Sequence, residues 1–288
     1  MKILITGGSG MLGSALKEEA CRLNFLSKEF DRNLVFQVPV TAVAAKIAGS
    51  DLFIHAAANT SVEKCELDPD RCYRDNLLLT ELLARACSLA GVPFLFISST
   101  GVYGTGKQVA YKEYDAVSPT THYHNSKHLA EKLVFNLSSK NLVLRTGWIF
   151  GGEIENPKNF VARRIDEAKE ALRNHSDLKS NSQQWGVPCY SRDIAVRALL
   201  LAREGHSGLF NCVNTGFASR FDYVSAILRV ANINITISKS DAANFGRKAI
   251  VSNNEMAENW KMDSLGISRM PHWEESLMEY IRIIINKI

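Results

Sequence analysis

The sequence predicts an α/β protein: a doubly wound parallel sheet with a smaller C-terminal region. Two observations predict it. Short apolar runs alternate with segments of helical period over the first half of the 288-residue chain, and such alternation produces parallel strands covered by helices on both faces. A glycine-rich turn follows the first apolar run at once, the place where an open sheet of this kind binds its ligand.

The elements follow in order. Lys2–Thr6 is a short apolar strand ending in glycines, and residues 11–23 place Leu12, Leu16, Ala20 and Leu23 at helical spacing. Residues 25–30 are a weaker strand and residues 51–56 a clear one. Residues 73–90 form one long helix with Leu77, Leu83, Cys87 and Ala90 near one face, closed by Gly91. Residues 92–98 and Leu142–Thr146 are buried-type strands, separated by a helix that starts near His122. Beyond Gly151 the pattern loosens. Loops are expected at 156–157 and 185–188, helices at 160–172 and 192–203, and a short strand at 233–237 among further helical stretches.

Composition bounds the function. Hydrophobic residues make up 46% and charged residues 22%, which excludes disorder and fibrous repeats. Thirty-four basic side chains against 30 acidic ones give a net charge of +4 with no long single-sign run, so no nucleic-acid partner is expected. No apolar run approaches the roughly 18 residues of a membrane span. The apolar N-terminus is too short for a signal-peptide core, so a cytoplasmic location without membrane partners is expected. Six cysteines without a Cys-x-x-Cys pair read as reduced thiols, neither a zinc site nor a disulfide frame.

The glycine turn is Thr6-Gly7-Gly8-Ser9-Gly10-Met11-Leu12-Gly13. Gly7 allows the tight turn, Gly10 lets the backbone approach a pyrophosphate, and Gly13 permits close helix–sheet packing. The anion would sit on the helix start at Met11 and Leu12. No Gly-Lys-Ser/Thr ending follows, which excludes a nucleotide-hydrolysing P-loop. The acidic residue expected about 20 positions on is Glu29 or Asp31, for the ribose hydroxyls of NADH. Lys28 or Arg32 would instead pair with the extra phosphate of NADPH. The choice is open, with a lean to NADPH. On this basis a Rossmann-type dinucleotide-binding unit is expected over residues 1–151, with 192–212 returning to it. Residues 152–191 and 213–288 are expected to form the substrate-binding region.

Tyr123 and Lys127 stand one helical turn apart in Tyr123-His124-Asn125-Ser126-Lys127, on one face of the helix. A neighbouring ammonium lowers a phenol's pKa from about 10 and suits it to proton transfer at neutral pH. Upstream, Ser98-Ser99-Thr100 ends the fourth strand in hydroxyls, which can bind a carbonyl oxygen as charge develops on it. His122, His124 and His128 flank the pair, but no carboxylate or cysteine completes a metal site. His55 is expected to be a packed residue.

The glycine turn, His55-Ala56-Ala57-Ala58, Asn76, the Ser-Ser-Thr strand end and Tyr123/Lys127 together resemble the extended short-chain dehydrogenase/reductases that act on nucleotide sugars. A narrower resemblance runs nearly end to end, to the dTDP-4-dehydrorhamnose reductases. It rests on residues 57–66, 144–151, 159–161 and 186–193, on Gly208-Leu209-Phe210, on Leu265-Gly266-Ile267 and on Pro271-His272-Trp273. The chain departs from that pattern at Ser99-Thr100-Gly101, at His124, and over residues 247–252. The resemblance implies that Ser99, Tyr123 and Lys127 are the catalytic set. Ala56, Ala57 and Ala58 would line the cofactor with Tyr123 and Lys127. Val62, Ser99, Thr100 and Trp148 would meet the substrate, Trp148 packing on the hexose. It further implies an NADPH- or NADH-dependent oxidoreductase that reduces the 4-keto group of a nucleotide-linked 6-deoxyhexose in deoxysugar and cell-surface polysaccharide biosynthesis. A homodimer is left open. Two alternatives stand beside it: an NAD-dependent epimerase of the same fold, and a non-catalytic regulatory subunit.

Overall fold

The computed structural model describes residues 1–240 and 248–285. The chain begins β1 (Lys2–Thr6), α1 (Met11–Arg22), β2 (Leu26–Glu29), α2 (Val40–Ile47) and β3 (Leu52–His55). It continues α3 (Val62–Leu67), α4 (Pro69–Tyr73), a π-helical turn (Arg74–Leu78) and α5 (Leu79–Ala90). Next come β4 (Phe94–Ser99), α6 (His122–Leu137), β5 (Leu142–Thr146) and β6 (Trp148–Phe150). α7 (Phe160–Arg173), β7 (Leu178–Asn181), β8 (Trp185–Gly186) and β9 (Pro188–Tyr190) precede α8 (Ser191–Arg203) and β10 (Gly208–Asn211). The rest is β11 (Ala218–Ser219), α9 (Arg220–Val230), β12 (Ile237–Ser240), α10 (Trp260–Ser264) and α11 (Trp273–Ile284).

Six strands form one parallel sheet in the order β10-β5-β4-β3-β1-β2. The expected doubly wound α/β architecture is therefore present. The order turns around between β1 and β3, and such switch points open the ligand crevice at the carboxyl ends of the strands. Because every strand runs the same way, the segments after β1, β3, β4 and β5 all emerge at that one end.

Each face of the sheet has its own apolar layer. Ile3, Ile5, Ile54, Leu95 and Leu144 pack with Leu12 and Leu16 of α1 and Ile194 and Leu199 of α8. On the other face Phe53, Phe94, Phe96 and Val143 meet Val43 of α2, Leu83 of α5 and Val134 of α6. A separate core joins Trp148 and Phe150 to Ile165 of α7, Ile227 of α9, and Leu277 and Ile281 of α11.

The sequence reading departs from the structure in four places. The loop expected at 185–188 carries β8 and the start of β9, which pair with β11 and β6. The single helix expected over 73–90 is α4, a π-helical turn and α5. The strand expected at 233–237 is displaced: β12 starts only at Ile237, where it can pair with β7, while Ile233 and Ile235 lie half-buried against the C-terminal core. α2 and α3 are short helices for which the periodicity gave no signal. Arg247, at the head of the divergent 247–252 stretch, lies outside the described residues. Among the described residues no helix is long and apolar enough to cross a membrane.

Candidate active site

The glycine turn has a physical reason at each of three positions. Gly7 has φ +75, and a Cβ there would meet the Ala57 backbone at 2.9 Å, so Gly7 allows both the left-handed turn and the close approach of the segment after β3. At Gly13 a Cβ would lie 1.9 Å from the Gly7 carbonyl oxygen. Gly10 differs, since its Cβ would meet only the Gly7 oxygen, at 3.3 Å. The space in front of Gly10 is therefore open to a ligand. Gly10 is also the N-cap of α1, and it gives the helix no side-chain cap and no acidic residue in the first turn. The N–H groups that begin α1 at Met11, Leu12 and Gly13 are left for an anion, which the helix dipole favours. This donor set fits a dinucleotide pyrophosphate.

Two candidate ribose residues take different places. Glu29 ends β2 with a carboxylate oxygen 2.9 Å from where a Gly8 Cβ would stand, and it pairs with Lys17 at 3.8 Å. It lies against the glycine turn. Asp31 instead caps the short turn Arg32–Phe36 by accepting from the Asn33 N–H at 2.9 Å. Arg32 is exposed at the start of that turn. Ala57 is buried against Gly7, with Ala56 and Ala58 half-buried beside it. His55 is a packed residue. Its ring nitrogens lie 2.7 Å from Thr6 Oγ1 and 3.1 Å from Thr80 Oγ1, and burial holds it neutral.

At the end of β4 the hydroxyls separate. Ser99 is half-buried, and its Oγ accepts from the Gly101 N–H at 3.2 Å. Thr100 is fully buried, and its hydroxyl has no hydrogen-bond partner among the described residues. Its 0% exposure takes it away from the surface where a substrate contact was expected.

α6 is capped by Thr121, whose Oγ1 accepts from the His124 N–H at 3.2 Å. This start presents Tyr123 at the first turn, with Lys127 one turn on. Lys127 is 3% exposed, and its Nζ lies 4.0 Å from the centre of the Phe96 ring on β4. The Tyr123 ring meets His124 edge-on at 5.0 Å. His124 in turn fills the space over Gly101: a Cβ there would lie 2.1 Å from His124 Nε2. Thus α6 touches β4 through Phe96 and the segment after it through Gly101, on either side of Ser99.

The electrostatics of the pair correct the sequence reading. Lys127 was expected to lower the Tyr123 pKa. Burial instead pushes the phenol above its usual range, and it pushes Lys127 down to about 7 against the pull of Glu131. Low-dielectric surroundings disfavour the charged form of each group. A stability effect follows. The folded chain releases the Lys127 proton near pH 7 and the unfolded chain only near 10.5. Between those values the unfolded state holds the extra proton, so the Lys127 contribution to stability rises with pH and is smallest below 7. The melting temperature of the wild type relative to Lys127→Met is expected to increase from about pH 7 to about pH 9. A flat difference would mean that Lys127 stays charged in the folded chain.

Sequence reasoning missed the support beneath this pair. Glu131 accepts from Ser98 Oγ at 2.5 Å and from Arg145 Nε at 2.9 Å, and its other oxygen accepts from Arg145 Nη2 at 2.6 Å. The Arg145 guanidinium lies over the Tyr103 ring at 4.6 Å. This buried bidentate pair fastens α6 to β4 and β5. The available signal was that Glu131 stands one turn beyond Lys127 on the same helix face. The three histidines serve different neighbours. His124 Nδ1 lies 3.0 Å from Thr121 Oγ1, His122 Nδ1 lies 3.4 Å from the Tyr73 hydroxyl, and His128 faces Glu131 at 3.7 Å.

On the substrate side Val62 opens α3, half-buried. Asn76, in the π-helical turn, accepts from the Asn59 N–H at 2.8 Å and donates to its carbonyl at 3.1 Å. It thereby clamps the loop between β3 and α3. π-helical turns of this kind are frequent at functional sites. Trp148 is 8% exposed, with its indole N–H on Glu255 at 2.8 Å and the Arg220 guanidinium 3.5 Å over its ring. A Cβ at Gly186 would lie 2.5 Å from the indole. The resemblance implied a face open to a hexose, but Arg220 covers one face. Glu255 and Arg220 are neighbours of the site that no sequence motif announced.

The RmlD substrate binding domain model matches residues 1–285. The chain is 28% identical to the spore coat polysaccharide biosynthesis protein SpsK of Bacillus subtilis, over 98% of this chain and 97% of that one. A dTDP-4-dehydrorhamnose reductase of Clostridium acetobutylicum superposes with a TM-score of 0.91 at 29% identity, covering 99% of each chain. One from Bacillus anthracis, in complex with NADP, superposes with a TM-score of 0.90 at 27% identity, covering 98% of this chain and 99% of that one. From the glycine turn to α11, then, the chain belongs to the RmlD substrate binding domain family, as a dTDP-4-dehydrorhamnose reductase-like member of the extended short-chain dehydrogenase/reductases.

Proposed function

We propose that this chain is an NADPH- or NADH-dependent oxidoreductase that reduces the 4-keto group of a nucleotide-linked 6-deoxyhexose, in the biosynthesis of an activated deoxysugar. The carrying observation is that the open cradle before Gly10 and the Tyr123/Lys127 face of α6 lie at the same end of the parallel sheet. Family membership over residues 1–285 supports the same reading.

The start of α1 would hold the cofactor's pyrophosphate, with Glu29 or Arg32 at its adenosine ribose, and when bound the cofactor supplies a hydride. The residues of the chain do the rest. Ser99 Oγ binds the carbonyl oxygen and stabilises the charge that develops there. Tyr123 delivers the proton. Because burial keeps its phenol protonated, it enters the reaction as an acid. Lys127, one turn along α6, supplies positive charge to the forming phenolate in its protonated form, which burial leaves only partly populated at neutral pH. Val62 and Trp148 bound the sugar.

A reductase uses one reduced cofactor per product and must release it, whereas an epimerase returns the hydride and can keep its cofactor. The purified chain is expected to carry little nicotinamide and to oxidise NADPH or NADH stoichiometrically with a dTDP-linked 4-keto-6-deoxyhexose. Retention of NAD through gel filtration, with sugar epimers interconverting without added cofactor, would replace this reading by the epimerase. A well-folded chain inert toward a nucleotide-sugar panel would leave the regulatory subunit.

A further inference from the structure

Trp148 is gripped by residues that have no step in the proposed reaction. Its indole N–H is on Glu255 at 2.8 Å, and the Arg220 guanidinium lies 3.5 Å over its ring. The segment through β8 holds both residues there. The Gln184 carbonyl accepts from the Arg220 backbone N–H at 3.0 Å, and the Trp185 carbonyl from that of Glu255 at 2.8 Å. Gly186 comes next, where a Cβ would stand 2.5 Å from the indole. The position along the sheet is fixed as well. Thr146 is the register partner of Ser99, and Trp148 stands two residues on, its Cα no more than about 7 Å from that of Thr146. The Glu255 edge of the indole is within electrostatic reach of the proton donor, since after burial the Glu255 charge is among those that raise the Tyr123 phenol.

We propose that Arg220 is a specificity-determining residue of the substrate site, whose guanidinium, laid on the face of Trp148, binds the diphosphate of the nucleotide sugar. This deepens the proposed function and rests on its nucleotide-linked substrate. A guanidinium flat on a ring spends its face there and keeps its N–H groups in the plane of the fork, where they meet phosphate oxygens bidentately. The order of groups agrees. Outward from the keto carbon, the substrate runs through the hexose ring and the anomeric oxygen to the diphosphate. Outward from Ser99, the chain runs through Thr146 and the indole to Arg220. With the carbonyl on Ser99 and the ring along the indole, the diphosphate arrives at Arg220.

The surroundings suit an anion. The Arg220 guanidinium also lies 5.4 Å from the centre of the Phe160 ring, and that ring carries Arg164 at 5.1 Å, which pairs with Glu167 at 2.9 Å. Lys239 Nζ lies 5.2 Å from the centre of the Phe221 ring, one residue beyond Arg220. The nearby Asp222 carboxylate is committed to the cap of α9, accepting from Ser219 Oγ at 2.6 Å and from the Ser219 N–H at 3.1 Å. Arg220 itself is half-buried, and a guanidinium held between rings loses little freedom when a phosphate binds.

The test titrates the full chain calorimetrically with dTDP, UDP and thymidine, with saturating NADP present to fill the cradle before Gly10. Wild type is expected to bind dTDP more tightly than thymidine. Arg220→Gln is expected to weaken dTDP about 10–100-fold, the usual worth of charge-assisted hydrogen bonds, and to leave thymidine unchanged. Equal dTDP affinity in wild type and a folded Arg220→Gln overturns the assignment. So does an equal loss for dTDP and thymidine, the mark of a residue that only shapes the pocket. Wild type that binds thymidine as tightly as dTDP overturns it too, with no variant needed. A chain that binds dTDP through Arg220 but leaves the keto sugar unreduced overturns the proposed reductase and keeps this assignment. Wild type that binds neither dTDP nor UDP overturns the nucleotide-sugar substrate, and the Arg220 assignment with it.

Discussion

Tyr123→Phe is expected to lower turnover by about 10²–10⁴-fold, the usual contribution of a positioned acid, with cofactor affinity unchanged. The substitution removes one hydroxyl and keeps the ring that meets His124 at 5.0 Å, so the packing over Gly101 survives. Loss of a proton donor falls on the transition state and leaves ground-state binding of the cofactor alone. The measurement is steady-state turnover with the keto sugar beside a cofactor titration by fluorescence. Tyr123→Phe with more than roughly a tenth of wild-type turnover would remove Tyr123 from the proton step. Equal losses of turnover and cofactor affinity would give it a binding role instead.

Gly10→Val is expected to abolish cofactor binding in a chain that still folds. The Gly10 backbone is extended, at φ −79 and ψ 167, which a β-branched residue adopts easily. Its Cβ meets only the Gly7 oxygen, at 3.3 Å. The branches would stand in the open space before α1, where a pyrophosphate must approach the first-turn N–H groups. Gly13→Ala is the contrasting variant. Its Cβ would lie 1.9 Å from the Gly7 oxygen, so the turn itself must move, at the cost of about 1–3 kcal/mol typical of overpacking. Thermal melting with cofactor titration separates the two: Gly10→Val should melt like wild type and not bind, and Gly13→Ala should melt earlier. A well-folded Gly10→Val with wild-type affinity would refute the assignment of the cofactor cradle.

Much of the fold was legible in the sequence because its signals are local. An apolar run ending in Gly7 and a helical stripe from Leu12 to Leu23 can each be read within a short window, and β1 and α1 follow. The Tyr123/Lys127 spacing needed only the period of one helix. Elements that depend on partners were less legible. β12 is set by pairing with β7 and starts at Ile237, although the apolar pattern begins at Ile233. The π-helical turn at Arg74–Leu78 interrupts a segment that reads as continuous helix, and Asn76 within it bonds to a loop 17 residues away in sequence.

By itself the sequence determined the alternation of strands and helices, the glycine turn and the helix that carries Tyr123 and Lys127, because propensity and periodicity act between near neighbours. Only the tertiary structure decided the charge states and the covered surfaces. Burial sets the Tyr123 and Lys127 protonation against the direction their spacing implied. Arg220 closes one face of Trp148 from 72 residues on. Glu131 and Arg145 meet from different elements. Desolvation and contact depend on every group that packs around a side chain, and those groups come from segments far apart in the chain.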